Sequence, residues 1–124
     1  MNQYAHVVGR ILLAIIFIVA GAGKIADQAG TIAYMESAGI PGILLWPTIA
    51  LELLGGIAIV IGFQTRLVAW ALAIFCIAAA FLFHFDLKDS MQTILFLKDL
   101  AMAGGFLILA SSSALWFAVD NRRS

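Results

Sequence analysis

Long segments without charged side chains constrain this chain more than any other feature. Residues 67–85 and 100–119 contain no Asp, Glu, Lys or Arg, and residues 37–65 contain one charged residue, Glu52. A helix needs about 20 apolar residues to cross roughly 30 Å of hydrocarbon, so each segment is long enough. The apolar residues are continuous rather than alternating, which is not the pattern of a membrane β-barrel. The chain is therefore expected to cross a membrane as α-helices.

Another span precedes these three segments. The 13 residues 11–23 are uncharged and lie between Arg10 and Lys24. Long basic side chains can direct their charged ends out of the hydrocarbon, so the spanning helix can include both flanking residues. The sequence predicts an all-α integral membrane protein, a bundle of four transmembrane helices in a single domain of residues 1–124. The four spans are expected near residues 6–25, 43–63, 67–86 and 94–118.

The composition agrees with a protein that is surrounded by lipid. Hydrophobic residues make up 64% of the 124 residues and charged residues 11%, whereas a soluble domain averages roughly 45–50% apolar and about 25% charged residues. This argues against an ordinary soluble enzyme. Seven basic residues balance seven acidic residues, so the chain has no basic excess with which to bind a nucleic-acid backbone. The lipid bilayer is the expected partner, and nucleic acid is not.

A more polar segment connects the first two spans. Asp27 can cap a short helix, and Gly39, Pro41 and Gly42 are expected to end that helix before the second span begins. We expect this short helix to lie at the membrane interface rather than to cross the bilayer. The remaining connections are short, so the sequence indicates one domain without a linker.

The basic residues indicate how the spans are oriented. With four spans, both termini lie on the same side of the membrane. Four basic residues would lie on that side and three on the other, namely Arg10, Arg66, Arg122 and Arg123 against Lys24, Lys88 and Lys98. Because cytoplasmic segments carry the excess of Lys and Arg, we expect both termini to lie in the cytoplasm.

Glu52 is the most informative polar residue, because it lies near the middle of the second span. A carboxylate at the bilayer centre costs at least about 2.5 kcal/mol, so it should face the bundle interior. It either handles protons or anchors a ligand, or it forms a structural ion pair. Helical rise places Arg10 about 9 Å from the midplane on the side of the termini and Lys24 about 12 Å away on the other side. Arg10 is therefore the nearest candidate partner of Glu52.

Alternating helix directions place several polar residues at the same end of the bundle. Lys24, His84, Lys98 and Asp99 would lie in one layer on the side opposite the termini, with Glu52 beneath them. One interpretation is a polar pocket that binds a ligand or handles protons, in which a histidine can change its charge near neutral pH. The alternative is a set of solvated residues at the interface. We favour the pocket.

The sequence predicts neither a metal site nor an intrinsic cofactor. Its two histidines, His6 and His84, lie at opposite ends of the bundle and cannot ligate one ion or haem together. Cys76 lies among apolar residues in the third span and has no nearby cation, so it is interpreted as a small core residue. No catalytic residue can be assigned, and whether the chain is an enzyme stays open.

Several short blocks of residues form a recognisable series along nearly the whole chain. They are Gly9-Arg10-Ile11-Leu12-Leu13-Ala14, Ala20-Gly21-Ala22-Gly23-Lys24, Gly39-Ile40-Pro41, Glu52-Leu53-Leu54-Gly55-Gly56, Gly62-Phe63-Gln64-Thr65-Arg66, His84, and Phe96-Leu97-Lys98 followed by Gly104-Gly105. Together, and in this order, they resemble the DoxX family of small bacterial inner-membrane proteins. The resemblance implies four helices with both termini in the cytoplasm. The residues of this chain that match the motifs of the family are Arg10, Lys24, Glu52, Thr65, Arg66, His84 and Lys98. Family members often have Asn after the lysine of the fourth span, where this chain has Asp99.

The resemblance also implies a functional context. The family takes its name from a subunit linked to a thiosulfate:quinone oxidoreductase, and relatives are associated with membrane redox complexes. We therefore expect a quinone-interacting or accessory subunit of such a complex, with quinone as the ligand and redox subunits, or further copies of the chain, as partners. One alternative is a non-catalytic scaffold or assembly protein. Another is a small-solute transporter, for which four helices leave little room.

Overall fold

A computed structural model describes residues 2–83, 88–112 and 118–122 of the chain. The described residues form five α-helices and two short 3-10 turns, with no β-strand. The helices are α1 (Asn2–Ala26), α2 (Gln28–Ser37), α3 (Leu45–Ile61), α4 (Thr65–Phe83) and α5 (Ser90–Ala110), and the 3-10 turns are Gly42–Leu44 and Val119–Arg122. Four segments within the described residues are long and apolar enough to cross a membrane, namely Gln3–Ala26, Gly42–Ile61, Thr65–Phe83 and Ser90–Ala110. The predicted four-helix membrane bundle is confirmed.

The limits of α5 differ most from the prediction, which placed the fourth span at 94–118. The helix begins earlier because the Asp89 carboxylate accepts a hydrogen bond from the Met91 backbone N–H at 2.9 Å and so caps it. It ends at Ala110 because the Ser112 backbone N–H donates to the Leu109 carbonyl, at 3.2 Å, and not to the carbonyl four residues earlier as in an α-helix. The carbonyl of Ile108, which would have accepted that N–H, accepts the Ser111 and Ser112 hydroxyls at 3.0 Å each.

The predicted short helix between the first two spans is confirmed as α2. The Asp27 carboxylate accepts a hydrogen bond from the Gly30 backbone N–H at 3.1 Å, so the residue caps the helix as expected. Met35 is the buried residue of α2, and it packs in a cluster with Leu45 and Ile49 at the start of α3. The helix is thereby held against one end of the bundle.

The bundle consists of two closely packed pairs of helices, α1 with α3 and α4 with α5. Glycine allows the first pair to approach. A Cβ atom added at Gly21 would lie 2.7 Å from Leu53 Cγ, and one added at Gly56 would lie 2.7 Å from Ile18 Cγ1 and 3.2 Å from the Ala14 carbonyl oxygen. In lipid, where apolar burial gives helices no drive to associate, such close packing is a main source of attraction.

The two pairs pack tightly against each other from the middle of the bundle toward the end where α3 ends and α4 begins. Phe17 and Phe106 are both buried and meet edge to face, with ring centroids 5.5 Å apart. Leu72 and Ile59 complete the contact between the pairs, and small alanines on α4 and α5 let the backbones approach. The opposite half of the bundle, which lies next to α2, is packed less completely.

Residues 118–122 close the tightly packed end. Gly62 ends α3 with a positive φ of 76°, and the Asp120 backbone N–H donates to its carbonyl at 2.9 Å. The two carboxylate oxygens of Asp120 accept hydrogen bonds from the backbone N–H groups of Gln64, at 2.6 Å, and Thr65, at 2.8 Å. Asp120 therefore caps α4 from a distant part of the chain. Which side of the membrane this end faces stays a prediction.

We predict opposite effects for two glycine-to-alanine changes. Gly56→Ala should destabilise the protein by about 1–3 kcal/mol, because the added methyl group meets the Ala14 carbonyl and forces α1 and α3 apart. Gly104→Ala meets no heavy atom within 4 Å, so it should stabilise α5 by up to about 1 kcal/mol through helix propensity. Thermal unfolding in lipid nanodiscs, followed by circular dichroism, measures both. A Gly56→Ala protein at least as stable as the unchanged protein would contradict the close packing of α1 and α3.

We also predict that Asp120→Ala lowers stability by about 0.5–2 kcal/mol, the usual cost of losing a helix cap. Asp120→Asn keeps one acceptor oxygen and should lose less. The same unfolding measurement ranks the three proteins. Equal stability of Asp120→Ala and the unchanged protein would show that this segment does not cap α4.

Candidate ligand-binding cavity

A cavity of about 710 Å³ lies between the two helix pairs, in the half of the bundle next to α2. All five helices contribute to its wall. Most of the lining is apolar, including Phe17 on α1, Phe75 and Leu82 on α4, and Met102 on α5. Ligand sites commonly have volumes of roughly 300–1,000 Å³ and apolar walls with a few polar groups. The cavity has the size and character of such a site.

An ion pair between Lys24 and Glu52 forms part of this wall. Lys24 Nζ lies 2.7 Å from Glu52 Oε1. The Glu52 side chain is 5% exposed and that of Lys24 is 25% exposed, so the carboxylate is the more deeply buried partner. An intramembrane carboxylate was expected to face the bundle interior, and Glu52 does so.

The proposed pairing of Arg10 with Glu52 is wrong. Gly21 packs against Leu53 in the antiparallel pair of α1 and α3, so Glu52 lies at the level of the residue after Gly21. Lys24 is then two residues away, about 3 Å along the helix axis, whereas Arg10 is twelve residues away, about 18 Å. Arg10 is buried near the other end of the bundle, where its Nη2 donates to the Val60 carbonyl at 3.3 Å. Distances counted along each helix from the bilayer midplane take no account of the register between α1 and α3, so they could not identify Lys24 as the partner of Glu52.

The structure brings together three of the five predicted pocket residues. Lys24, Glu52 and Asp99 all line the cavity. Lys98 does not line the cavity, because successive residues of a helix point about 100° apart and Asp99 is the one that faces it. The exposed Lys98 side chain lines a groove between α1 and α5 instead. His84 lies outside the described residues, so its place in the pocket stays a prediction.

Sequence reasoning missed several polar residues in the wall. Thr48 lines the cavity one helical turn before Glu52, a spacing that places both on the same face of α3 and could have revealed it. Tyr34 of α2 stacks on Phe83 of α4, with ring centroids 5.3 Å apart, and thereby covers one end of the cavity. Cys76, predicted to be a core residue, is 2% exposed and also lines the cavity.

Comparison with known proteins identifies the family. The sequence model of the DoxX family matches residues 5–85. The chain belongs to the DoxX family. The matched DoxX segment includes Lys24, Glu52 and Cys76 and ends before Asp99. The cavity therefore combines residues inside the matched segment with others outside it.

Relatives agree with this assignment. Inner membrane protein YqjF of Escherichia coli strain K12 is 45% identical over 120 residues, which cover 97% of this chain and 92% of that protein. Inner membrane protein YphA of the same strain is 33% identical over 122 residues, or 93% of this chain and 87% of that protein. "Putative oxidoreductase CatD" of Bacillus subtilis strain 168 is 36% identical over 70 residues, or 56% of this chain and 52% of that protein. No solved structure matches. This DoxX protein is an integral inner-membrane protein.

We predict that removing the lysine of the ion pair destabilises the protein more than removing the carboxylate. Lys24→Met should destabilise the protein by about 3–5 kcal/mol, because it leaves the buried carboxylate without its cation. Glu52→Gln should cost less, since the partly exposed lysine can direct its ammonium group toward water. Adding Glu52→Gln to Lys24→Met should restore much of the loss.

Thermal unfolding in nanodiscs measures this order of stabilities. Lys98→Met is the matched control, because Lys98 is exposed and lies outside the cavity. If Lys24→Met unfolds at the same temperature as Lys98→Met, the ion pair does not hold the bundle together.

Proposed function

We propose that this DoxX protein binds a quinone in the cavity between its helix pairs and acts as an accessory subunit of a membrane redox complex. The observation that carries the proposal is an apolar cavity of about 710 Å³ with the Lys24–Glu52 ion pair in its wall. A quinone needs an apolar slot for its ring and hydrogen-bond partners for its two carbonyl oxygens. The cavity offers both kinds of surface.

The polar groups suit the two ends of the ring differently. The Lys24 ammonium group would donate a hydrogen bond to one carbonyl oxygen, a charge-assisted bond that is stronger than one between neutral groups. The Thr48 hydroxyl donates to the Leu44 carbonyl at 2.8 Å, so its oxygen, like the carboxylates of Glu52 and Asp99, would accept hydrogen bonds from the hydroxyls of the reduced form. In this proposal the electrons are exchanged with a partner subunit, and this chain binds and orients the ring.

The names of relatives give limited support to the redox context. The resemblance to "Putative oxidoreductase CatD" covers 56% of this chain. The two longer matches are to proteins named only for their membrane location. The cavity therefore supports a quinone more directly than the comparisons do.

A scaffold role is the second candidate, and the position of the ion pair favours it. Lys24 and Glu52 join α1 to α3, the two helices that already pack most closely through Gly21 and Gly56. In this alternative the pair is a structural link and the cavity binds no ligand. Loss of stability would then be the whole effect of changing either residue.

Binding of ubiquinone-2 to the purified protein in nanodiscs distinguishes these candidates. We expect the quinone to raise the unfolding temperature, because a ligand at 100 times its Kd stabilises the folded state by about 2.7 kcal/mol. Ala79→Phe should abolish the rise, since Ala79 lines the cavity and the larger side chain fills it.

Ala50→Phe is the matched control, because Ala50 is exposed on α3 and does not line the cavity. It should keep the full rise in unfolding temperature. No rise in the unchanged protein would refute quinone binding and leave the scaffold role.

A further inference from the structure

A groove of about 720 Å³ lies between α1 and α5 and adjoins the cavity. The two spaces share three lining residues, Ile16 on α1 and Asp99 and Met102 on α5. These residues therefore stand between the interior of the bundle and the groove. The remaining lining of the groove is largely apolar, and it includes Leu12 and Leu95.

The seam between α1 and α5 is the loosest contact between neighbouring spans. The helices touch where a Cβ atom added at Gly105 would lie 3.0 Å from Leu13 Cδ2. Beyond that contact, toward the start of α1, a Cβ atom added at Gly9, which lines the groove, would meet no heavy atom within 4 Å. In comparison, α1 packs closely on α3 and α4 packs closely on α5. A molecule could pass between α1 and α5 without separating a closely packed pair.

The groove faces the hydrocarbon of the membrane. Leu12 is 64% exposed and Ile16 is 49% exposed, and both lie within the span Gln3–Ala26. Apolar side chains exposed along a spanning helix contact lipid tails. A molecule that enters through this seam therefore comes from within the bilayer rather than from water.

Charge in the cavity selects among the lipids that could enter. Of the described residues that line the cavity, Asp27, Glu52 and Asp99 are acidic and Lys24 is basic, and Lys24 is paired with Glu52. Lys98 lines the groove but not the cavity. An anionic phospholipid headgroup that entered the cavity would therefore leave Lys98 behind and meet carboxylates, and like charges brought together cost several kcal/mol. A neutral ring with oxygen atoms meets no such repulsion.

We propose that the α1–α5 seam is a lateral entrance for a neutral ring lipid, whose ring enters the cavity while its apolar tail lies in the groove. The identification of the ring as a quinone rests on the proposed function above. The entrance itself rests on the two adjoining spaces and the loose seam. A gate of this kind gives access to a lipid-soluble ligand while α1 and α3 stay together through their ion pair.

Alkylation of Cys76 tests the entrance without any ligand. Cys76 is the single cysteine of the chain and lines the cavity, so N-ethylmaleimide, an uncharged and lipid-soluble reagent, must reach the cavity to label it. In phosphatidylcholine nanodiscs, Ile16→Trp should slow labelling by about tenfold, the change that a barrier of about 1.4 kcal/mol produces. Ile15→Trp is the matched control, because Ile15 is 47% exposed and lines neither space.

Two further measurements separate blocking of the seam from other effects. Leu12→Trp, which changes a residue of the groove but not of the cavity, should also slow labelling. When each rate is divided by the rate of the same reagent with a small thiol in solution, a cationic, water-soluble methanethiosulfonate should label Cys76 more slowly than N-ethylmaleimide in the unchanged protein. Equal labelling of Ile16→Trp and Ile15→Trp, or a faster normalised rate for the cationic reagent, would overturn the lateral entrance.

Protection of Cys76 identifies the occupant. Ubiquinone-2 should protect Cys76 from N-ethylmaleimide better than duroquinone, which is fully substituted but has no tail to place in the groove. Replacing phosphatidylcholine with phosphatidylglycerol should not change the labelling rate, and protection by phosphatidylglycerol would overturn the choice of a neutral lipid.

The outcomes distinguish this inference from the function on which it rests. If neither quinone protects Cys76 while Ile16→Trp still slows labelling, the quinone proposal fails and the entrance stands. If ubiquinone-2 protects Cys76 while Ile16→Trp has no effect, the entrance fails and the quinone proposal stands.

Discussion

The close approach of α1 and α3 is the contact on which the rest of the structure depends. Gly21 and Gly56 leave room for the facing helix, and at this separation Lys24 Nζ reaches Glu52 Oε1 at 2.7 Å. A carboxylate within a membrane span is tolerated when it faces the interior and has a partner. The glycines and the ion pair therefore act together, because neither close packing nor charge compensation would be as favourable without the other.

Uneven packing between the two helix pairs explains where the cavity forms. Near the middle of α1, Phe17 meets Phe106, and from there toward the start of α4 alanines bring the helices together. Toward α2, the same four spans diverge and the space between them is covered by a short helix whose Tyr34 stacks on Phe83. The bundle is thus closely packed at one end, where Arg10 and Thr65 are buried, and hollow at the other, where Lys24, Glu52 and Asp99 line the cavity.

Much of the fold could be predicted from single-chain patterns, because the bilayer sets the length of each span and cap chemistry sets the start of α2 at Asp27. The site could be predicted only in part. Glu52 was identified because its charge is costly at its depth, but its partner depends on the register between two helices that are distant in sequence. The choice between Lys98 and Asp99 depends on the rotation of α5 about its axis, which an apolar sequence on all sides of the helix does not determine.

The cap that Asp120 provides has a consequence for biosynthesis. The carboxylate that stabilises the start of α4 is separated from Thr65 by 55 residues. At translation rates of roughly 5–20 residues per second, the ribosome needs several seconds to add them. During that interval α4 and α5 emerge while the first N–H groups of α4 lack this acceptor. The turn between α3 and α4 therefore acquires its final hydrogen bonds only after the later helices have been made, and the insertion machinery handles an α4 whose N-terminus is not yet capped.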